Sequence, residues 1–220
     1  MAHTEASMTF ALILGGIVFV VVGGGMAALW VYLRRTQQRL GALVDEVAAE
    51  KGLLPGVPDP LRPLTDEISF AYREGQRVRL FGYAHLHQRQ GVIVSVVRET
   101  ADDKPHSKGG GVAATSRLAV IVPWSCPERP TVVVVTPDRV YPETLSSPCV
   151  AQVVSFVRAH HALRNVLEIV FAPNRLILSF VPLWRMEAKE DLAALVDLAF
   201  DLQRWQEEAS LPTAVEGHAV

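Results

Sequence analysis

Residues 166–181 read VLEIVFAPNRLILSFV, two apolar runs on either side of Ala-Pro-Asn-Arg. Every second residue from Leu167 to Phe171 is apolar, and the second run repeats this alternation, so each run has a continuous apolar face. Pro173 and Asn174 suit the centre of a tight turn. The stretch therefore predicts an antiparallel β-hairpin, and with it a sheet in the surrounding domain.

Amphipathic helices are predicted on both sides of this hairpin. Upstream, Ser147 is a good N-cap, Pro148 suits the first turn, and apolar residues recur at helical spacing over residues 148–163. Downstream, residues 187–208 carry a second apolar stripe, with acidic residues near its N-terminal end, where the helix dipole favours them. The tail at 210–220 has no such pattern and is predicted to be disordered.

The sheet is predicted to continue upstream of the first helix. Over residues 77–82, the residues Val78, Leu80 and Gly82 alternate with Arg77, Arg79 and Phe81, and over residues 91–97 one face carries Val92, Val94 and Val96. Both patterns predict half-buried strands. Residues 117–122 and 131–135 are short apolar runs that suit central strands. This order predicts one α+β domain over residues 65–209, a largely antiparallel sheet packed with two helices. A small curved sheet capped by the C-terminal helix, in the manner of a pleckstrin-homology-like domain, is one candidate.

The motifs of the common enzyme classes do not occur in the sequence. Residues 102–111 contain lysines and glycines but not the order GxxxxGK[ST], and a strand pattern follows them instead of a helix, so they predict an exposed flexible loop. No GxSxG, HExxH or dinucleotide-binding fingerprint is present. A net charge of −2 gives no field that would attract nucleic acid. We therefore expect no catalytic residues, no cofactor and no nucleic-acid partner.

Two histidines are the residues to examine for metal binding. His85 and His87 alternate along a predicted strand, which would place both rings on one face. A metal site needs three or four converging ligands, and no spacing predicts that Cys126, Cys149 or Glu168 completes the set. We expect surface or interface histidines and no metal.

A cysteine nucleophile is also not expected. Cys149 lies near a predicted helix N-terminus, which would favour its thiolate, but His160 and His161 lie near the other end of that helix, about 16 Å away. That distance prevents direct contact with a base. Cys126 and Cys149 are predicted to be reduced thiols in a cytoplasmic domain, although an extracytoplasmic domain could pair them.

Between the predicted domain and the N-terminus lie a linker and a connector helix. Residues 53–64 contain four prolines, which excludes helix and indicates a semi-rigid linker. Residues 34–52 are predicted to form a juxtamembrane amphipathic helix that ends at Gly52 and carries the connector stripe Leu40, Leu43, Val44 and Val47. The stripe could mediate association, dock on the protein's own domain or rest on the membrane surface.

The N-terminal region has the features of a membrane anchor. Residues 8–33 carry no charge and span roughly 39 Å as a helix, more than the ~30 Å hydrocarbon core of a bilayer. Residues 1–7 contain no Lys or Arg, and the apolar run is longer than that of a signal peptide. The sequence therefore predicts an uncleaved transmembrane helix at 8–33 after a short N-terminal tail.

The charges that flank this segment predict its orientation. Arg34, Arg35 and Arg39 follow it, and basic residues mark the cytoplasmic side of a membrane helix. Trp30 and Tyr32 lie where an interfacial aromatic belt is expected. The prediction is a single-pass protein of the inner membrane, in contact with the lipid bilayer, with its N-terminus outside and its C-terminal domain in the cytoplasm.

Small residues in the predicted membrane helix indicate helix packing. Gly15, Gly16, Gly23, Gly24 and Ala27 would let a second helix approach closely. We expect this surface to contact other membrane protein subunits, with a homo-oligomer and a heteromeric complex both left open.

The whole layout resembles a loose class of uncharacterised bacterial proteins that are anchored by one membrane helix. The resemblance is carried by RVRLFGYAHLHQRQGVIVSVV at 77–97, VLEIVFAPNRLILSFVP at 166–182 and DLAALVDLAFDLQRW at 191–205. It implies a small α+β domain behind the anchor and brings no catalytic residues.

These features predict a non-catalytic accessory or scaffolding subunit of a larger membrane protein complex. The first alternative is a homo-oligomeric, membrane-tethered adaptor that binds a soluble partner. A metal-dependent sensor or enzyme is the least favoured alternative.

Overall fold

The computed structural model describes residues 2–57, 64, 68–69, 77–102, 113–125, 131–145, 147–160, 166–180 and 189–210. Within the first helix, side chains are described at Gly16, at 20–28 and from Trp30 onward. The chain divides into two compact units, Met1–Arg39 and Leu40–Val220.

The first helix, α1, runs without a break from Ala2 to Lys51 and covers both the predicted membrane segment and the predicted connector. It ends in a Schellman motif, in which Gly52 has a φ of +66° and donates to the carbonyl of Ala49, while Leu53 donates to the carbonyl of Ala48. For the predicted span over residues 8–33 the structure offers no support: among the residues it describes, no helix is long and apolar enough to cross a membrane.

The second unit is built on an antiparallel sheet, whose described strands are β1 (Leu54–Pro55), β2 (Ile68–Ser69), β3 (Arg77–Arg89), β4 (Val92–Asp102), β5 (Ala113–Pro123), β6 (Thr131–Val135), β7 (Val140–Tyr141), β8 (Leu167–Ala172) and β9 (Arg175–Phe180). Their order in the sheet is β1-β3-β4-β5-β9-β8-β6-β7, and β2 also pairs with β3. Two further helices are α2 (Pro148–His160) and α3 (Lys189–Ser210). The prediction of an α+β fold with an antiparallel sheet and helices is confirmed.

The hairpin at the centre of the sequence argument is confirmed as β8 and β9. Leu167 pairs with Phe180 and Ala172 pairs with Arg175, so the turn consists of Pro173 and Asn174, the latter with a φ of +59°. β3 and β4 form a second, longer hairpin, which ends at Gln90 and Gly91 with φ values of +51° and +86°. Positive φ at both central residues is the turn geometry that matches the twist of paired strands.

One face of the sheet packs against all three helices and forms the main core. Alternate residues of β4, β5, β6, β8 and β9 meet apolar side chains of α2, α3 and the C-terminal end of α1. Leu40, Val44 and Val47 are buried in this core, and Leu43 packs against it. Of the three placements that the sequence leaves open for the connector stripe, the structure shows docking on the protein's own domain.

The opposite face of the sheet encloses a second, smaller core. Its apolar members include Leu80, Ile121 and Ile177. The same face buries an ion pair, in which Arg117 on β5 donates to Glu168 on β8 at 2.6 Å. β2 pairs with β3 and also contacts β6, which stands five places further along the sheet. The sheet is therefore curved around this second core.

The start of the predicted linker at 53–64 belongs to the sheet. Leu54 and Pro55 pair with β3, and the backbone N–H of Gly56 donates to the carbonyl of Leu86. β1 lies at the edge of the sheet, where proline is tolerated because one side of the strand needs no ladder partner. Asp102 of the predicted loop at 102–111 belongs to β4 and Ser210 of the predicted tail at 210–220 belongs to α3, whereas the rest of both segments and most of the remaining linker lie outside the described residues.

Candidate functional site

Asp45, His85 and His87, which we call the Asp45–histidine cluster, form a polar contact between the C-terminal end of α1 and the sheet. The Asp45 carboxylate accepts a hydrogen bond from Nδ1 of His85 at 3.0 Å and another from Nε2 of His87 at 2.8 Å. Because an ionised carboxylate can only accept, these contacts place a proton on Nδ1 of His85 and on Nε2 of His87. The two rings therefore present different nitrogens to one acid.

A β-bulge in β3 orients the two histidines. Ala84 lies opposite Val96 and His87 lies opposite Val94, so β3 takes three steps where β4 takes two. Within the bulge, His85 has a φ of +48°, a left-handed conformation that few residues other than glycine adopt. The sequence predicted two rings on one face of a regular strand. Both rings do reach the same acid, but an irregular backbone brings them there.

Gly41 provides the space that the His85 ring occupies. A Cβ at this position would lie 2.3 Å from Nε2 of His85 and 2.5 Å from two ring carbons, well inside van der Waals contact. Gly41 stands four residues before Asp45, on the same face of α1. The ring of His85 therefore packs on the helix backbone at one turn and bonds the carboxylate of the next.

The two imidazoles change the acidity of Asp45. Partial burial raises the pKa of this carboxyl, but the interactions with His87 and His85, with the hydrogen bonds as the largest of them, outweigh it and hold the pKa below the ordinary value of 3.8. Asp45 is therefore ionised at neutral pH and accepts both hydrogen bonds.

The same end of α1 is joined to α3 by ion pairs. Lys189 lies 2.8 Å from Glu46 and 3.0 Å from Glu50, and these carboxylates raise its pKa. Lys51, the residue after Glu50, bonds both carboxylate oxygens of Asp197 at 2.7 Å. The last turns of α1 are thus attached to the sheet on one side and to α3 on the other.

A cleft lies next to the end of α1, between the β3–β4 turn and α3. Arg89 donates to the carbonyl of Lys51 at 2.9 Å and its guanidinium lies over the ring of Phe200, while Gln203 donates to the carbonyl of Gln90. The cleft has a volume of about 420 Å³ and is lined by Arg89, Gln90, Phe200, Gln203, Arg204 and Glu207. Arg89 and Gln203 therefore take part in bonds that hold the end of α1 and the β3–β4 turn to the fold.

The predicted membrane-interface residues lie on exposed helix surface. Trp30 and Tyr32 are each 60% exposed, and the guanidinium of Arg34 lies 5.3 Å from the centre of the Trp30 ring. Arg35 and Arg39 are exposed on the same helix.

The glycine surface predicted for helix packing is open where the structure describes it. A Cβ added at Gly16, Gly23 or Gly24 would meet nothing within 4 Å, and Ala27 is exposed. Gly15 lies outside the residues whose surroundings are described.

Other residues with candidate chemistry are not brought together in the described part of the chain. Cys149 is a half-buried free thiol at the start of α2. Cys126, His161 and the side chain of His160 lie outside the description. Among the described residues, no group of three or more His, Cys, Asp or Glu side chains is arranged to hold a metal ion.

The role of Asp45 was missed by sequence reasoning. The HxH pattern is visible in the sequence, but its partner Asp45 lies about forty residues earlier, on the polar side of the predicted connector. Gly41, one turn before that acid and inside an amphipathic helix, was the available signal, because glycine in a helix interior is unfavourable unless space requires it.

Comparisons with known proteins identify no relative: no family model, no curated protein and no solved structure matches this chain.

Proposed function

We propose that this chain is a non-catalytic accessory or scaffolding subunit of a bacterial membrane protein complex. Residues 8–33 anchor it in the inner membrane, and the domain that begins with the last turns of α1 lies in the cytoplasm. The observation that carries the proposal is the surface of α1 at 20–28 and 30–33, where the described side chains are exposed and apolar on more than one side.

Three consecutive valines make this point. Val20, Val21 and Val22 are 70%, 66% and 58% exposed, and three consecutive residues point in directions that cover more than half of a helix circumference. Met26 and Val31 add further exposed apolar surface. A helix in water keeps a polar face, so side chains exposed all round favour a lipid environment.

The residues that follow support the position and orientation of the anchor. Trp30 and Tyr32 suit the headgroup region, because each ring has an apolar body and a polar edge. Arg34, Arg35 and Arg39 come next and favour the cytoplasmic side.

A scaffolding role is supported by how the domain uses its charged groups near α1. Asp45, Glu46, Glu50 and Lys51 each bond a side chain of β3 or α3. These groups attach the helix to the domain, as a tethered subunit requires.

The open glycine surface favours a second candidate, a homo-oligomeric tethered adaptor for a soluble partner. Gly16, Gly23 and Gly24 leave room for another helix to approach closely. A copy of the same helix would satisfy this surface as well as a different subunit would.

Membrane anchoring is tested by expressing the full chain with a C-terminal tag, isolating membranes and washing them with alkaline carbonate. We expect the wild type to stay in the membrane pellet and Val21→Asp to be depleted from it, with Val21→Leu as the matched control. Release of the wild type by the wash would overturn the proposed anchor.

The partner is tested by crosslinking and native electrophoresis in mild detergent. If the complex is heteromeric, Gly23→Leu with Gly24→Leu removes a co-migrating protein of different mass, whereas Val22→Leu retains it. If the chain forms homo-oligomers, the same change removes self-crosslinks. Migration of the wild type as a lone monomer contradicts both candidates.

A further inference from the structure

We propose that the Asp45–histidine cluster is a pH-sensitive contact, in which uptake of a second proton by His85 strengthens the attachment of α1 to β3 while His87 stays a neutral donor. The inference concerns a contact within the domain and does not depend on the proposed membrane anchor.

The pH sensitivity of the contact follows from its acceptor, the Asp45 carboxylate. Each neutral imidazole already donates one N–H to the Asp45 carboxylate. A second proton converts a neutral donor into a cation and its hydrogen bond into a charge-assisted one, which is shorter and stronger. Because Asp45 is ionised throughout the range in which histidine titrates, proton uptake by a ring that faces it creates an ion pair.

The surroundings of the two rings differ, and this difference selects His85. The side chain of His87 is only 14% exposed, and its Nδ1 is buried with no hydrogen-bond partner among the described residues. A second proton on His87 would therefore create a buried N–H without an acceptor, which is costly. The side chain of His85 is 39% exposed and accessible to solvent protons.

In the part of the chain that the structure describes, the neighbouring strands place no charged residue opposite His87 or the bulge. Among the described residues, β1 places Pro55 opposite His87 and Leu54 beside it, and β4 places Val94 and Val96 opposite the bulge. The positive charge of a protonated His85 therefore acts mainly on Asp45 of α1.

The other charged groups at this end of α1 are engaged elsewhere. Glu46 and Glu50 bond Lys189, Lys51 bonds Asp197, and Arg89 of β3 donates to the end of α1. Asp45 is thus the charged group of the described chain that hydrogen-bonds both rings. The conformation of His85 is consistent with a specific role, because a left-handed non-glycine residue persists only where its surroundings hold it.

The strength of the attachment between α1 and β3 depends on pH in a defined direction. Attachment is strongest when Asp45 is ionised and His85 is protonated, and it weakens as pH rises and His85 loses its second proton. It also weakens at strongly acidic pH, where Asp45 takes up a proton. Because both side chains are partly exposed, we expect a change of roughly threefold in the opening equilibrium of the helix end.

Hydrogen exchange on the full chain in detergent tests the proposal. We expect amide protection factors in residues 44–51, corrected for intrinsic exchange, to be about threefold higher at about pH 6 than at about pH 8. Protection in α2 serves as the internal reference. His85→Gln should remove the difference, because glutamine keeps a donor but cannot take a second proton, and His87→Gln should retain it. Equal protection at the two pH values in the wild type would overturn the proposal.

Nitrogen NMR of the imidazole rings in the wild-type chain tests the same assignment without a variant. We expect His87 to carry one proton, on Nε2, at both pH values, and His85 to gain a second proton at the lower one. A second proton on His87 instead of His85 contradicts the assignment. Both measurements are repeated with a chelator, and loss of the pH dependence in its presence also counts against the proposal.

Discussion

The two ends of α1 have opposite environments although they belong to one uninterrupted helix. From Val20 to Leu33 the described side chains are exposed and mostly apolar. From Leu40 to Lys51 the helix has a buried apolar face and a polar face whose acids and lysine are bonded to the domain. One uninterrupted helix therefore carries an exposed, mostly apolar surface in one part and a surface docked on the sheet and α3 in the other.

The largest expected effect comes from placing a charge at matched positions in the two ends. Val47→Asp should prevent folding or cost more than ~4 kcal/mol, because Val47 is fully buried and an unpaired carboxylate there has no partner. Val21→Asp should leave the unfolding free energy of the domain unchanged, since Val21 is exposed. Chemical denaturation of both variants measures this, and equal destabilisation would remove the distinction.

Glycine substitutions provide a milder version of the same comparison. Gly41→Ala should destabilise the domain by about 1–3 kcal/mol, because the new methyl group overlaps the His85 ring. Gly24→Ala, with open space around it, should not destabilise, since alanine favours helix by ~0.5–1 kcal/mol over glycine. Thermal unfolding in detergent compares the two, and a neutral Gly41→Ala would show that the ring does not pack on the helix.

Lowering the pH tests the contribution of Asp45 to the stability of the docked end of α1. The folded-state pKa of Asp45 lies below 3.8, so its contribution is present above that value and is lost as pH falls through the folded pKa. Because half of its side chain is exposed, we expect a contribution below ~1 kcal/mol. Urea denaturation of the wild type should show this acid loss, whereas Asp45→Asn should lack that component. An identical pH profile in the two proteins counts against the ionised acid.

The smallest expected effect belongs to the ion pair with α3. Lys51→Gln should cost about 0.5 kcal/mol at low salt and less at high salt, because Asp197 is half exposed and solvent screens the pair. Lys51→Arg is the matched control that keeps the charge. A salt-independent loss in Lys51→Gln would indicate packing of the lysine stem instead of charge.

The sequence allowed some of these features to be predicted and not others. The alternation in 166–181 and its turn residues fixed the β8–β9 hairpin because both signals are local. β3 is longer than its apolar pattern, since residues beyond Gly82 are mixed in polarity and pair with β4 through a bulge that leaves no local signature. β1 and β7 have two residues each, too few for a sequence pattern, and are strands because they pair with β3 and β6.

The candidate site depends even more on tertiary structure. The periodicity of the connector stripe was readable, but its docking surface was not, because the same pattern suits a partner, a membrane or the protein's own sheet. The two histidines were visible as a pair, whereas their convergence on Asp45 required the bulge and the space at Gly41.

We propose that α1 passes from lipid into water along its length. A spin-label scan tests it most directly: single cysteines at 20–33 and 40–51, in a background of Cys126→Ser and Cys149→Ala, reconstituted in lipid bilayers. Over 20–31 we expect high accessibility to oxygen and low accessibility to a water-soluble nickel reagent at every position. Over 40–51 we expect accessibility to the nickel reagent to oscillate with a period of about 3.6 residues, with minima at the connector stripe. Nickel accessibility around the whole helix at 20–31 would contradict the claim.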